Sequence, residues 1–342
     1  MRKVVGRMTE SKRAATVRDV AKLAGVSPGT VSKALNGVGQ LSSDTRARVQ
    51  EAAAALDFQP NHSARSLASG RTFTVGVITS DSFGRFTIPV MLGIEDSLAA
   101  GRVSTMMCDG RADPVREYQL LERLINRQVD GLVVTGRRRD PRPSLGKLPV
   151  PVIYVLSESL DPADLSLTYD DPQGAELAAH HLLSTGRRHL AYIGGPERHL
   201  ASRLRLAGVE RALAAQGLGL DPDLALYGQW SEVWGRSAAT IVVHSGHPVD
   251  GIVCGSDQIA RGVLDGLREL EVQVPGDIAV VGFDNWEVMV QGARPLLTTV
   301  DPHLESLGRE AGTRLLAAIE GDEALDQGVI TRGCELVIRD SA

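Results

Sequence analysis

The sequence has few cysteines and no long run of apolar residues. Its three cysteines, Cys108, Cys254 and Cys334, lie far apart and form no CxxC pair, so neither a disulfide framework nor a zinc cluster is indicated. No run of about 18 or more apolar residues is present to span a bilayer, and residues 1–15 lack the apolar core of a signal peptide. We therefore expect a protein of the reducing cytoplasm with no membrane partner.

Motifs of several enzyme classes are also missing. No GxGxxG opens a helix after the first predicted strand, no GxxxxGK[ST] is present, and Gly-Ser-Asp at 255–257 is not a nucleophile elbow. His180 and His181 are adjacent on a predicted helix and cannot easily face one site, and no third ligand is indicated beside His244 and His247. We expect these histidines on the surface, and no catalytic residues, metal or cofactor.

The composition that remains is that of a globular protein with an uneven charge distribution. The chain has 342 residues, 43% hydrophobic and 23% charged, which suggests about two domains or more. Residues 1–72 contain 12 Lys and Arg against 5 Asp and Glu, whereas the other 270 residues contain 25 against 37. A head of charge +7 on a body of charge −12 is typical of a nucleic-acid-binding module joined to a domain with another task. The alternative source of part of this charge is a solvated basic tail.

Three short helices are predicted in the basic head. Thr16 and Asp19 match the capping box of a first helix, Ser27 is a good N-cap for a second, and a third follows Ser42 or Ser43. A unit this small can bury only a small hydrophobic core. Such a core is sufficient for a DNA-binding unit whose second helix projects into the major groove.

Short β-rich runs alternate with helical stretches from residue 72 onward. Buried strands are predicted at residues 73–79, 130–135, 151–156, 189–193, 250–254 and 278–283. Helices are predicted near residues 87–100, 114–128, 172–185, 202–216, 235–245, 257–270 and 303–320. This alternation predicts parallel sheets wrapped by helices.

A short internal repeat indicates two similar halves: VDGLVVTG at 129–136 resembles VDGIVCGS at 249–256. About 270 residues of this pattern exceed what one such sheet usually needs. We therefore predict two doubly wound subdomains with a ligand cleft between them, because the carboxyl ends of parallel strands converge on such sites.

Two segments of the head carry a family resemblance. Residues 16–36, TVRDVAKLAGVSPGTVSKALN, resemble the helix-turn-helix of the lactose/galactose repressor (LacI/GalR) family of bacterial transcription regulators, and residues 58–72, FQPNHSARSLASGRT, resemble its hinge. Shorter matches follow in order: GIE at 93–95, VDG at 129–131, RLAG at 205–208, SDQ at 256–258, VVGFD at 280–284 and LTTV at 297–300. The resemblance covers nearly the whole chain.

The resemblance implies a small all-α helix-turn-helix DNA-binding domain, joined by a hinge helix to an α/β periplasmic-binding-protein-like effector domain of two doubly wound subdomains. The expected segments are a flexible basic arm at 1–15, the DNA-binding domain at 16–60, hinge helix and linker at 61–71, and the effector-binding and dimerisation domain at 72–342. The N-subdomain is expected at about 72–170 and 303–328, and the C-subdomain at about 171–300 and 329–342.

The resemblance also assigns DNA-contacting residues in the head. Pro28, Gly29 and Lys33 occupy base-reading positions. The positions that mostly bind phosphate are Thr16, Ser27, Thr30, Ser32, Asn36 and Thr45. Because Pro28 and Gly29 offer no side-chain hydrogen bond, direct readout would fall largely on Lys33, which can donate to guanine.

In the hinge, the resemblance implies a short helix over residues 61–68 that folds on DNA. Asn61 begins it, and Leu67, with Ala68 beside it, takes the place of a leucine that is inserted into the minor groove to kink a central base step. The alternative is that Leu67 packs on the effector domain.

Candidate effector-binding residues lie at strand ends or at family ligand positions. They are Phe83, Phe86, Asp109, Arg205, Trp230, Ser256, Asp257 and Asp284. An aromatic face with Asp, Ser and Arg suits a sugar, whose ring stacks while its hydroxyls are hydrogen-bonded. The alternatives are packing for the three aromatic residues and a helix N-cap for Asp257. The basic run at residues 137–142 is predicted to be a solvated loop.

The sequence thus predicts a homodimeric or tetrameric transcriptional repressor that binds double-stranded palindromic operator DNA in the bacterial cytoplasm, associated with the nucleoid when DNA-bound. A small molecule controls it, with sugar as the leading class and a purine or other metabolite acting as co-repressor as the alternative. The alternative of another class is a sugar-binding or carbohydrate-active protein.

Overall fold

The protein comprises two compact units, residues 1–72 and residues 73–342. A computed structural model describes residues 15–36, 39–58, 70–82, 84–99 and 103–342. The helices in the described part of the first unit are α1 (Val17–Ala24), α2 (Pro28–Asn36) and α3 (Ser43–Ala55). The predicted three-helix head is therefore confirmed.

The caps expected in the head are present. Thr16 Oγ1 accepts from the backbone N–H of Asp19, and the Asp19 carboxylate accepts from the backbone N–H of Thr16 at 2.9 Å. Gly25 ends α1 in the left-handed conformation, with φ 67°. Ser27 Oγ accepts from the backbone N–H of Thr30 at 3.1 Å. Local hydrogen bonds thus define both ends of the turn between α1 and α2.

A small core joins the three helices of the head. Its buried side chains are Val20, Ala21, Ala24, Val31, Ala34, Val49, Ala52 and Ala53. They are all valine or alanine, so they bury little apolar area. The spacing of Val17 from Val20, Ala21 and Ala24 predicts that it lies on the buried face of α1, but it is exposed.

The second unit contains two six-stranded sheets. The first is formed by β1 (Thr74–Thr79), β2 (Ser104–Asp109), β3 (Gly131–Thr135), β4 (Val152–Val155), β5 (Leu165–Tyr169) and β11 (Gly328–Arg332). Its order is β2-β1-β3-β4-β5-β11, with every pairing parallel.

The second sheet repeats this order. It is formed by β6 (Leu190–Gly194), β7 (Ala225–Tyr227), β8 (Gly251–Cys254), β9 (Ala279–Phe283), β10 (Thr298–Asp301) and β12 (Glu335–Val337). Its order is β7-β6-β8-β9-β10-β12, and only the pairing of β12 with β10 is antiparallel. The repeated VDG segments, residues 129–131 and 249–251, lie at the starts of β3 and β8, which occupy equivalent positions in the two sheets. The prediction of two similar, doubly wound halves is confirmed.

Helices cover both sheets. The N-subdomain, built on the first sheet, carries α4 (Thr87–Ala99), α5 (Pro114–Asn126) and α11 (Leu304–Glu320). The C-subdomain, built on the second sheet, carries α6 (Asp171–Ser184), α7 (Leu200–Ala214), α8 (Glu232–Val243), α9 (Asp257–Glu269) and α10 (Glu287–Gly292). In the described part of the chain, no helix combines the length and apolarity needed to cross a membrane.

The chain passes between the two sheets three times. It crosses after β5, returns after β10, and crosses again after β11. The boundary expected at residues 328–329 is wrong, because β11 pairs with β5 through Arg332 and the last crossing therefore lies at residues 333–334. The strand was missed because it is a half-exposed edge strand, without the continuous apolar run of a central one.

Candidate functional site: an arginine-lined cleft and a DNA-facing helix

A cavity of about 510 Å³ lies between the two subdomains. Its wall includes Ser80, Arg85 and Phe86 after β1, residues 137–140 after β3, and Asp284 at the end of β9. These are carboxyl ends of parallel strands, where doubly wound sheets bind ligands. The cavity volume suits a small ligand in contact with both subdomains.

Arg205 lies in the wall of this cavity and is held by the protein. Its side chain donates to Asp171 Oδ1 at 2.7 Å, to the carbonyl oxygen of Gly255, and to the Tyr169 hydroxyl at 3.1 Å. The guanidinium also lies 3.6 Å from the ring centroid of Phe283. Burial is the largest single effect and lowers the pKa of Arg205, but the charge and hydrogen bond of Asp171, together with Tyr169 and Tyr192, raise the pKa overall. Arg205 is thus a fixed, permanently charged group with few free donors.

Asp284 lies beside Arg205 in the wall of the same cavity. Its Oδ1 lies 3.8 Å from Arg205 Nη1, and Oδ2 forms an ion pair with Arg85 of the N-subdomain. Asp284 has φ 114°, a backbone conformation that is strained for a residue with a side chain. The structure therefore brings together the two candidates from separate strand–helix units and adds a third group, Arg85.

Arg85 is positioned by the loop that follows β1. Asp81, itself buried, accepts from the backbone N–H groups of Phe86 and Thr87 at 2.8 and 3.2 Å, which fixes the loop. The Arg85 guanidinium lies 4.8 Å from the ring centroid of Phe86 and 4.9 Å from that of Trp286. Burial lowers the pKa of Arg85 to about 10. It remains a cation at neutral pH, held between two rings.

Phe86 and Trp230 supply the aromatic surface of the cavity. Trp230 packs on Gly195, where a Cβ would overlap its indole ring, and its Nε1 donates to His199 Nδ1 at 2.9 Å. Both aromatic residues also pack against the apolar cores. The structure therefore places them where the binding and the packing interpretations both apply.

Two predicted effector residues lie outside the cavity wall. Asp257 is fully buried: its Oδ2 accepts from the backbone N–H of Trp286 at 2.7 Å, and its Oδ1 accepts from the Thr299 hydroxyl. Ser256, which does line the cavity, is the N-cap of α9. Asp109 accepts from the backbone N–H of Arg111 at 2.7 Å. Asp257 and Asp109 therefore support the loops around the cavity.

The basic run at residues 137–142 is only in part the solvated loop that was predicted, because Arg137 and Arg138 are exposed but Arg139 is buried. Arg137, Arg138, Arg139 and Asp140 line the cavity. Arg139 is 8% exposed, donates to Glu158 Oε1 at 2.6 Å, and lies 3.1 Å from Asp171 Oδ2. Its carboxylate partners, the half-buried Glu158 and the buried Asp171, lie 19 and 32 positions away, so sequence spacing alone gives no indication of them.

His247 was expected on the surface, but it is half-buried beside two aspartates. Its Nδ1 lies 2.9 Å from Asp221 Oδ2 and its Nε2 lies 3.8 Å from Asp223 Oδ2. Both aspartates belong to the capped turn at Pro222–Leu224. His244 is exposed, as expected, and its Nδ1 bonds the carbonyl oxygen of Thr240.

Four of the predicted DNA-contacting residues of α2 lie on one accessible side, and Thr30 is half-buried. Pro28, Gly29, Ser32 and Lys33 are exposed. Val31 and Ala34, on the other side of the helix, are buried. The Ser27 and Thr45 hydroxyls lie beside helix starts, bonded at 2.9 Å to Thr30 and 2.8 Å to Ser42. The Thr16 hydroxyl donates to Asp19 at 2.6 Å, so its hydrogen is already engaged.

Several predictions lie outside the described residues. These are the basic arm over residues 1–14, the hinge residues Asn61, Leu67 and Ala68, and the cleft residue Phe83. Asn36 ends α2, but its side chain is not described. The assignments of these residues stay predictions.

The fold and the cleft together define a regulator with a small DNA-binding head and a periplasmic-binding-protein-like ligand domain. The model for bacterial regulatory proteins of the lacI family matches residues 16–61, and that for the periplasmic binding protein-like domain matches residues 179–342. The HTH-type transcriptional regulator CelR of Thermobifida fusca is 32% identical over 326 residues, which cover 92% of this chain and 94% of that protein.

Solved structures agree with these matches. The CelR–cellobiose complex has a TM-score of 0.68 at 29% identity and covers 96% of this chain and 100% of that chain. The lac repressor dimer bound to operator and the anti-inducer ONPF has a TM-score of 0.75 at 26% identity, covering 96% of this chain and 99% of that chain. The chain belongs to the LacI family of DNA-binding transcriptional regulators.

Proposed function

We propose that this protein is a repressor whose operator affinity is set by a sugar bound in the cavity between its subdomains. The observation that carries the proposal is the meeting of Arg205 and Asp284 of the C-subdomain with Arg85 of the N-subdomain in one cavity. A ligand there contacts both halves, and it shifts DNA affinity to the extent that it binds their two arrangements differently.

The same proposal includes a homodimer on a pseudo-palindromic operator. The exposed side of α2 would enter the major groove, with Lys33 reading bases and the hydroxyl residues near the helix starts bonding phosphate. Two-fold symmetry of the protein would match that of the site. Similarity to a repressor dimer solved on its operator supports this arrangement. The protein would act in the bacterial cytoplasm, associated with the nucleoid while bound to DNA.

The test combines ligand binding with operator titration. Calorimetry against mono- and disaccharides, with purines as the competing class, identifies the ligand, and fluorescence titration of operator DNA with and without it measures the response. We expect Asp284→Asn to weaken ligand binding at least tenfold and abolish the response while operator affinity without ligand persists. Arg205→Ala should do the same if it folds.

The control variant is Arg211→Ala, which removes an exposed arginine of α7 outside the cavity wall. It should respond like the parent protein. If Asp284→Asn binds the ligand and responds normally, the site is wrong, and if no ligand alters operator binding, control by this cavity is wrong.

A further inference from the structure

The cavity carries far more positive charge than the unit that contains it. Among the residues that the structure describes, seven arginines line it: Arg85, Arg111, Arg137, Arg138, Arg139, Arg198 and Arg205. The acidic residues in the wall are Asp140 and Asp284. Even when Glu158 and Asp171, which pair with Arg139 and Arg205, are included, the arginines exceed the carboxylates by three. Residues 73–342 as a whole carry −12, so this excess is local.

The buried arginines are already neutralised by the protein. Arg205 and Arg139 share Asp171, and Arg85 pairs with Asp284. These pairs account for the inner part of the cavity. The excess positive charge therefore lies among the exposed arginines of the wall.

Two of these exposed arginines approach the cavity from opposite subdomains. Arg111 lies between β2 and α5 of the N-subdomain, and Arg198 lies between β6 and α7 of the C-subdomain. Within the described part of the chain, neither side chain forms a salt bridge. Arg138, also exposed, is 3.7 Å from Asp140. A carboxylate or phosphate between these loops would receive charge-assisted hydrogen bonds from both subdomains.

We infer that the effector is an anionic sugar: a polyhydroxylated molecule with a carboxylate or phosphate group that Arg111 and Arg198 bind from the two sides. The inference rests on the proposed function of the cavity. The inner part, with Phe86, Trp230 and the Arg205–Asp284 pair, holds the sugar body. The anion can contact Arg111 and Arg198 together only when the two subdomains lie close on either side of it. It is therefore the group that favours this closed arrangement of the subdomains.

The experiment measures anion binding to the full chain with probes of matched shape. The probes are glucose, glucose 6-phosphate, glucuronate and inorganic phosphate, at constant ionic strength, and the readouts are the midpoint of thermal unfolding and calorimetric affinity. Inorganic phosphate has no sugar stereochemistry and tests the anion site alone. We expect phosphate to raise the midpoint, and one anionic sugar to bind at least tenfold more tightly than glucose. Whichever of glucose 6-phosphate and glucuronate binds more tightly identifies the anion.

The double variant Arg111→Gln/Arg198→Gln should lose the phosphate-induced shift and bind the anionic sugar at least tenfold more weakly. Arg211→Gln/Arg268→Gln removes the same charge outside the cavity wall and should behave like the parent protein. The inference is overturned if phosphate fails to shift the parent protein, if it shifts the double variant equally, or if glucose binds as tightly as its anionic counterparts. A neutral sugar that binds and alters operator affinity would overturn this inference and leave the proposed function standing.

Discussion

At the scale of single residues, the cleft depends on one buried carboxylate. Asp171, at the start of α6, is fully buried and lies 2.7 Å from Arg205 Nε and 3.1 Å from Arg139 Nη1. The two arginines belong to different subdomains, so Asp171 neutralises a positive charge from each side. Without it, two buried guanidinium groups would lack their shared counter-charge.

Replacing Asp171 with asparagine should therefore be costly. We expect Asp171→Asn to lower the free energy of unfolding by about 3–5 kcal/mol, the usual effect of removing one partner of a buried ion pair. Denaturant unfolding followed by circular dichroism measures it. The control is Glu269→Gln, which breaks the exposed pair with Arg236 and should cost under about 1 kcal/mol. Equal losses in the two variants would contradict this role for Asp171.

The buried carboxyl group of Asp257 should make the stability of the protein depend on pH. Burial raises its pKa to about 7 in the folded protein, against about 4 in an unfolded chain. Between these values the unfolded chain has lost the proton and the folded protein retains it, so this group's contribution to stability falls as pH rises and is constant above pH 7. Asp257→Asn removes that dependence.

The measurement is the free energy of unfolding of both proteins at intervals from pH 4 to 8. The stability of Asp257→Asn relative to the parent protein should rise with pH by up to about 1.4 kcal/mol per unit between pH 4 and 7, and then level off. A difference that does not vary with pH would show that Asp257 is ionised throughout.

At the scale of elements, helix pairs in the ligand domain approach closely at glycines. In the N-subdomain, a Cβ on Gly93 of α4 would overlap the carbonyl oxygen of Glu305, and one on Gly308 of α11 would overlap that of Val90. Each helix therefore presents a glycine to the backbone of the other. The short distance between α4 and α11 therefore depends on the absence of side chains at glycines in their interface.

Gly308→Ala tests this packing. We expect a loss of about 1–3 kcal/mol in the free energy of unfolding, the usual cost of overpacking, although alanine is the better helix former. Ser306→Ala, at an exposed position two residues earlier on the same helix, should change stability by no more than about 0.5 kcal/mol. A neutral or stabilising Gly308→Ala would mean that the two helices can separate without cost.

The elements also show which features the sequence could predict. Central strands such as β3 and β8 are buried on both faces and have apolar runs, so they were found. The half-exposed edge strands β2 and β7 have no such run, and β5 is fully buried but contains Ser166 and Thr168. In the cleft, Arg205 and Asp284 were found by family position. Arg85 and Arg139 were missed, because arginines are expected on the surface unless their distant carboxylate partners are known.

At the scale of the whole molecule, the opposite charges of the two units give a prediction about DNA. If the +7 head neutralises about six phosphates per dimer, operator affinity should fall on the order of a thousandfold between 50 and 200 mM salt, because condensed counterions are released. Fluorescence anisotropy with operator DNA over a salt series gives the slope. An affinity that stays constant over this range would contradict electrostatic binding by the head.

The three crossings between the sheets restrict how the subdomains can move. The first and last are hydrogen-bonded to each other: Asp170 N–H donates to the carbonyl oxygen of Arg332 at 2.8 Å, and Cys334 N–H donates to Gln173 Oε1 at 2.8 Å. His303 of the middle crossing lies beside the last, with its Nε2 3.4 Å from Glu335 Oε2, a contact that is an ion pair when the histidine is protonated. Three laterally bonded segments can bend together, but they resist sliding past one another. We therefore expect motion of one subdomain against the other to be mainly a rotation about these crossings. Groups that face each other across the cleft, such as Arg85 and Asp284, should then meet the same partner each time the subdomains close. The binding site would re-form in one arrangement.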